Sequence, residues 1–571
     1  MGMRCSGSQA IALVLLSTAC PAASHAGVSF RTVALTGDPA PGITPSLSFG
    51  EFGRPVLNEA GQTAFAASLT GANVTNFNDE ALYSEAAGTL GHPRLLAREG
   101  FSAPGTAPGV NYDALFLSSI VLNDTGQVAF TADLTGTGIN QFNPDEAIFS
   151  EAAGSRGNPG LVARTGEAAP DTGPGVNFSG FEPVFVFNNA GQTAFRAAFA
   201  GPGVGGNNNS GVFSDAAGAT DGLGLVVRAG DPAPGTTPGT TFASISKPAL
   251  NHSGQTVFRA LLNGVDVDSG NITGIFSEDA GAPGSPSLVA RSGDPIPGMP
   301  QGLNFDFRSV VVSPVINNTG HTAFRGGLSG TGVDDTNSLG VFSVAADDPS
   351  SLRVVARSGD PAPGTASGVV FHRFNDPLLN DAGQAAFFAS LRGDGVDISN
   401  STGIFSEAAG LTGSPGLVAR VGDPAPGTPP GTNFASISSS FLLNNAGQIA
   451  FLARLTGDSN TGLFATDLDG SLQLIARTGE LFDVDDDPFI TEPRTIASIN
   501  LSANSFGSVS TITNSSGGSD GRPNSFNDSG LLAFRLSFTD GAQGIFVVSV
   551  PEPGAAALLL SGGPLVLRRR R

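Results

Sequence analysis

The chain is predicted to be all-β: an eight-bladed β-propeller of four-stranded antiparallel blades, closed by its own N-terminal strand. Three observations carry this reading. An octapeptide of the form NxxGxxAF occurs eight times, with Val257 in place of the alanine in the fourth copy. Each copy lies among four short apolar runs separated by turn residues. The two ends of the chain hold complementary fragments of that unit.

The octapeptides begin at Asn58, Asn123, Asn188, Asn251, Asn317, Asn380, Asn444 and Asn527, at spacings of 65, 65, 63, 66, 63, 64 and 83 residues. A period held this closely marks a repeat architecture. The seventh unit shows the pattern: run one is "FASISSSFLL", run two "QIAFLARL", run three "GLFATD" and run four "LQLIAR". Short runs of Phe, Ile, Val and Leu between turn residues read as strands, and helical spacing is not sustained anywhere in the unit. "NNAG" suits the hairpin between runs one and two, because Asn bonds its own backbone and Gly447 tolerates a left-handed conformation. "LDGS" is the matching signal between runs three and four.

The ends settle the count. "VSFRTVALTGDPAPG" is a fourth run and its crossing, with no unit before it, while the last unit supplies "RTIASINL", "LLAFRLSF" and "GIFVVSV" but no fourth run. Pairing the two completes an eighth blade and removes an exposed sheet edge. A β-solenoid is the alternative, and it leaves those complementary ends unused. "GDPAPG" at Gly37, Gly230, Gly359 and Gly422, with "GDPIPG" at Gly293, follows run four each time. Proline fixes φ and removes a donor, so the hexapeptide reads as punctuation between blades.

Composition narrows function. Forty Phe residues supply apolar volume for eight small cores, and a net charge of −21 argues against nucleic acid and anionic lipid as partners. Residues 1–26 read as a secretory signal, with Arg4, the apolar "AIALVLLSTAC" and a small-residue cleavage site after Ala26. "LSTAC" is a faint lipoprotein signature, but Leu16 stands one place too far from Cys20. Both cysteines, Cys5 and Cys20, leave with the signal, so the body at 27–550 has no disulfide, thiolate metal site or catalytic thiol. Residues 551–571 form a chemically distinct tail. Lys247 is the only lysine.

No catalytic residue is assigned. Glu85, Glu151, Asp215, Glu278 and Glu407 recur in one slot of run three, and Arg98, Arg164, Arg228, Arg291, Arg357, Arg420 and Arg477 recur at the end of run four. Recurrence from unit to unit points to structure, since a catalytic pair needs two groups in different environments. The arginines are expected to bond carbonyls or carboxylates at blade junctions. His92, His252, His321 and His372 share no slot, and the hairpin positions of His252 and His321 suggest exposure to solvent. Neither a zinc-helix motif nor a nucleophile elbow occurs. No cofactor is required. Calcium is the one ligand the acidic loops suggest, through Asp266, Asp268, Asp334, Asp335, Asp483, Asp485, Asp486 and Asp487, because oxygen donors on loops suit that ion. None of these loops fits the twelve-residue hand pattern, so a solvated loop is the competing reading.

The repeats, through NxxGxxAF across residues 28–550, resemble the bacterial choice-of-anchor tandem repeat proteins. The tail resembles a PEP-CTERM sorting signal: Pro551, Glu552 and Pro553, an apolar stretch from Gly554 to Leu567, then Arg568, Arg569, Arg570 and Arg571. The apolar stretch is short and "SGGP" interrupts it. The resemblance implies processing by an exosortase in a Gram-negative bacterium, alongside exopolysaccharide export. A short apolar plug with cytoplasmic arginines fits a transient hold in the inner membrane. The sequence therefore supports a secreted, cell-surface or extracellular-matrix propeller with a structural or interaction role, its partners exopolysaccharide or surface proteins. The alternative is an extracellular lectin or hydrolase with its site in the propeller channel. A cluster of unrepeated polar residues there would favour the alternative.

Overall fold

The computed structural model describes residues 30–550 apart from 116–118, 140–144, 219–221, 280–281, 283, 309–312, 347, 458–459, 486–489 and 502–520. The expected signal peptide, the C-terminal tail, Asp486 and Asp487 lie outside the described residues. Among the described residues regular structure is β throughout, save one 3-10 turn at Pro349–Ser351.

Eight antiparallel sheets form the blades of a propeller, numbered here by their octapeptides. Blade 6 shows the plan. Its inner strand is Val370–Phe374 continued by Leu378–Leu379, followed outward by Ala385–Arg392, Thr402–Leu411 and Ser414–Arg420. Pro377 stands in the break of the inner strand, where a ladder donor is not needed. Blade 7 has no proline at that place, and its inner strand Phe434–Leu443 runs unbroken.

Blades 1 to 7 each hold a triplet of rings, and in blade 8, whose inner strand has Ile496 at that place, Phe482 of the preceding crossing supplies the third ring. The Phe of NxxGxxAF stacks on the aromatic residue opposite in the third strand, as in Phe387–Phe405 with centroids 6.0 Å apart and planes at 15°. A Phe of the inner strand meets the pair edge-on, as in Phe371–Phe405 at 4.8 Å and 77°. Tyr112, Phe130 and Phe149 repeat the arrangement in blade 2. Such contacts add about 0.5–1.5 kcal/mol per pair beyond the area they bury.

Closure follows the expectation. Phe30–Leu35 pairs antiparallel with Gln543–Ser549, from Phe30 opposite Val548 to Leu35 opposite Gly544. Blade 8 thus consists of Pro493–Asn500, Leu531–Phe538, Gln543–Ser549 and a strand from the other end of the chain.

The hexapeptides do more than end a strand. In the crossing into blade 6 the Gly359 amide donates to the Phe371 carbonyl at 2.8 Å, and the Phe371 amide donates to the Asp360 carbonyl at 3.0 Å. The same two bonds recur at Gly37, Gly230, Gly293 and Gly422. Each crossing therefore pairs with the inner strand that it introduces. The second glycine is compelled by space and conformation together: Gly364 has φ +73°, and a Cβ there would lie 2.8 Å from the Leu417 Cβ.

Candidate functional site in the axial channel

The octapeptide asparagines line the axis. Each is buried, and seven of the eight donate their side-chain amide to the backbone carbonyl of the corresponding Asn in the next blade. The links run from Asn58 to Asn123 at 3.3 Å, then through Asn188, Asn251, Asn317 and Asn380 at 2.8–3.0 Å. Asn444 reaches Asn527 at 2.8 Å, and Asn527 returns to Asn58 at 3.1 Å. The same side chain caps its own hairpin by accepting the amide four residues on, as Asn58 does from Gln62 at 2.9 Å. One residue type thus closes both a turn and the ring.

The next position forms a second ring at the mouth: Glu59, Asp124, Asn189, His252, Asn318, Asp381, Asn445 and Asp528. The Glu59 amide donates to Asp124 at 3.0 Å, Asp124 to Asn189 at 2.8 Å, and His252 to Asn318 at 3.0 Å. Asn318, Asp381 and Asn445 each donate to the next side chain at 2.6–2.9 Å, and Asp528 donates to Glu59 at 2.9 Å. Four carboxylates therefore crowd one mouth. Burial first, then repulsion from Asp528 and Asp124, pushes Glu59 up to about 7. Burial also raises Asp528 and lowers His252. His252 and His321 are both half-buried, which corrects the expectation of exposure. His252 sits inside the ring, with its Nδ1 facing Asn189 at 3.4 Å.

Inside the channel the residue before the inner-strand proline differs from blade to blade: Arg54, Glu182, Lys247, Ser313 and Asp376. Arg196 pairs with Glu182 at 2.7 Å, and Arg325 with Asp376 at 3.2 Å. Lys247 is pushed down to about 8 by burial and by the charge of Arg522, against the pull of Glu182 and Asp376. Burial raises Asp376 while Arg325 and Arg522 hold it down. Groups from blades 3, 4, 5, 6 and 8 thus sense one another, so this is an unrepeated polar cluster at the axis. The reading of the sequence did not single it out. The signal was present as a changing polar residue before a proline, four places ahead of the octapeptide Asn in blades 1, 4, 5 and 6 and six ahead in blade 3, and as the chain's only lysine.

The channel is crossed by its own chain. The Gly521 carbonyl accepts the Phe187 amide of blade 3 at 2.8 Å, and a Cβ on Gly521 would lie 2.9 Å from the Val186 Cβ. Arg522 donates to the Pro314 carbonyl of blade 5 at 3.2 Å. The Asn524 carbonyl then accepts the Leu57 amide of blade 1 at 2.7 Å, and Phe526 pairs with Leu532 in blade 8. Blades 3 to 5 lie opposite blade 8 in an eightfold ring, so Gly521–Asn524 forms a crossbar. It lies in the one unit whose spacing is 83 residues.

The repeated charges are braces. Glu407 accepts the Ala385 amide at 2.8 Å and the Gly413 amide, joining the two hairpins of its blade. Glu85, Glu151 and Glu278 do the same, and Asp215 takes the Thr193 amide at 2.9 Å. The run-four arginines bond carbonyls, as expected, but within their own blade: Arg98 reaches Asn78, Arg228 reaches Asn208 and Arg291 reaches Asn271, each at 2.9 Å. Arg357 and Arg420 follow suit, whereas Arg164 takes the Asp145 carboxylate.

The aspartates suggested for calcium lie on separate loops. Asp266 and Asp268 belong to blade 4, Asp334 and Asp335 to blade 5, and Asp483 and Asp485 to the crossing into blade 8. Asp268 caps the Gly270 amide at 2.6 Å, Asp334 the Thr336 amide at 2.7 Å, and Asp483 the Glu492 amide at 2.8 Å. Among the described residues no three His, Cys, Asp or Glu side chains gather as a metal site.

A family model described as "Family of unknown function (DUF7453)" matches residues 17–156, 144–312 and 282–557. No curated protein matches the sequence. Among solved structures the chain is similar to an oligogalacturonate lyase in complex with manganese, at 11% identity and TM-score 0.33, over 79% of this chain and 99% of that one. It is also similar to a dipeptidyl peptidase 4 of Porphyromonas gingivalis, at 8% identity and TM-score 0.40, over 89% and 60%. A protein from Lactobacillus plantarum gives 13% and 0.30, over 75% and 96%. Likenesses this distant carry no chemistry across.

Proposed function

The chain belongs to that family of unknown function, and we propose from its residues a secreted, non-catalytic propeller that serves as an interaction scaffold. One observation supports this above the others. The polar groups repeated from blade to blade are spent on braces and latches, and the crossbar takes the axial space a channel-bound substrate would need. The tail at Pro551, Glu552, Pro553 and Arg568 to Arg571 gives the address in this proposal. An exosortase-type enzyme processes it and delivers the body to the cell surface or extracellular matrix of a Gram-negative bacterium, where exopolysaccharide or surface proteins are the partners. Fractionating the native host, with and without residues 551–571, tests the address; an unchanged distribution overturns it. Calcium remains an optional ligand of the acidic loops, tested by partner capture with and without chelator.

A lectin or hydrolase site in the channel is the second reading, favoured by the unrepeated cluster around Lys247 and Asp376. Turnover or binding of a polysaccharide panel, lost in Asp376→Asn with folding intact, would replace the first reading by this one.

A further inference from the structure

The channel interior has the opposite charge to the body that encloses it. The chain carries a net charge of −21. Yet four of the eight blades place an arginine one position after the octapeptide Phe, at Arg196, Arg259, Arg325 and Arg535. These side chains reach the inner strands: Arg196 meets Glu182, Arg325 donates to the Phe374 carbonyl at 2.9 Å, and Arg535 donates to the Phe52 carbonyl. Arg54 and Lys247 join them from the inner strands, and Arg522 from the crossbar. Glu182 and Asp376 oppose these cations within the channel, and exposed Glu51 acts on Arg535 from the rim. Asp520 is the only charged residue in 502–520. Counting it as well still leaves seven cations against four carboxylates.

The excess acts on the groups that make it. Burial first, then the charge of Arg54, lowers Arg535, and burial alone lowers Arg259. Among the described residues the Nε atoms of Arg196, Arg259 and Arg535 are buried without an acceptor. The mouth carboxylates do not make up the deficit. Glu59, Asp124, Asp381 and Asp528 stand one place after the octapeptide Asn, whereas Arg54 and Lys247 stand four places before it. Five residues of strand span about 16 Å, roughly two Debye lengths at physiological salt. The crossbar lies between the two layers, meeting Phe187 and Leu57 one place before that Asn. It excludes a polymer threaded along the axis and leaves the cation layer facing the other mouth.

We propose that this layer binds a small oxyanion, a carboxylate, sulfate or phosphate group, entering from the mouth opposite the octapeptide hairpins. Guanidinium groups give such oxygens planar, charge-assisted donors. Walls of one sign of charge also concentrate the counter-ion between them. The oxyanion is either free in solution or the acidic substituent of a sugar. The sugar case deepens the channel lectin reading above and rests on it. The preference for an anion stands on the charge layer alone.

Calorimetry on the mature body at fixed ionic strength would titrate sulfate, phosphate and glucuronate, with glucose as the neutral control. Oxyanions are expected to bind with Kd of about 1 mM or lower, and glucose not at all. Lys247→Gln and Arg259→Gln should each weaken sulfate binding about fivefold, whereas Glu182→Gln, which removes an opposing carboxylate, should tighten it. These opposite signs keep the test decisive if one variant fails to fold. Absence of oxyanion binding up to about 50 mM, equal binding of glucose, or affinities unmoved by the substitutions would overturn the proposal. Glucuronate binding as tight as that of sulfate would assign the site to a sugar acid. Sulfate or phosphate binding without glucuronate would uphold the anion site and count against the lectin reading.

Discussion

The junction that closes the ring and an ordinary internal junction are built from the same parts. At junction 5/6 the outer strand of blade 5 is tied by sequence to its own blade. At junction 8/1 the equivalent strand, Phe30–Leu35, comes from the opposite end of the chain. Yet Arg31–Glu85 matches Arg353–Glu407, Asn527–Asn58 matches Asn317–Asn380, and Asp528–Glu59 matches Asn318–Asp381. Arg535 reaches the Phe52 carbonyl as Arg325 reaches that of Phe374. The closure therefore needs no special device. It reuses the chemistry of the repeat, with chain continuity replaced by pairing.

Removing residues 27–36 should break that equivalence most severely. Blade 8 would lose its outer strand, and Glu85, with a fully buried side chain, would lose its cation. We expect loss of the cooperative unfolding transition and concentration-dependent association through the bared edge, read by circular dichroism and size-exclusion chromatography. A monomer that unfolds as sharply as the full body would contradict the expectation.

Next in size are the ion pairs themselves. Glu407→Gln and Glu85→Gln each strand a partly buried arginine, and each should cost roughly 3 kcal/mol in urea unfolding. Equal effects sharpen the comparison. A much larger cost at Glu85 would mean that closure leans on that pair more than internal junctions do. Asn317→Ala and Asn527→Ala leave a neighbouring buried carbonyl without its donor and uncap a hairpin, for about 1–3 kcal/mol apiece. The Asn527 variant should resemble the Asn317 variant within about 0.5 kcal/mol.

The smallest effect is electrostatic and belongs to the closing junction alone. Glu59 carries a folded-state value of about 7, raised from its ordinary 4.5. Folding favours its protonated form, so its contribution is complete below about pH 4.5 and is lost as pH rises through 7. Glu59→Gln should therefore stabilise the body at pH 8 and change little at pH 4. About 1 kcal/mol is expected, well under full conversion, because the mouth opens to water. Destabilisation at pH 8, measured by thermal unfolding, would show the mouth carboxylates to be paired rather than strained.

What was legible in the sequence follows from range. The blade count and the closure could be read because strand patterns are local and the ends were visibly complementary. Punctuation by the hexapeptide was legible too, although its pairing with the next inner strand was not, since that contact joins two units. The reach of each octapeptide Asn to the following blade escaped for the same reason. The crossbar at Gly521–Asn524 follows an insertion with no counterpart in other units, so periodicity gave it no address. Histidine exposure was misjudged because a tight hairpin is normally a surface feature; at the axis of a propeller, eight such hairpins shield one another.

Amide hydrogen exchange compares the two junctions most directly. The closed ring predicts that Phe30–Leu35 and its partner Gln543–Ser549 exchange as slowly as Arg353–Arg357 and Leu339–Val344 in blade 5. Fast exchange across Phe30–Leu35, with the internal strands still protected, would contradict closure by the N-terminal strand and with it the account of the ring.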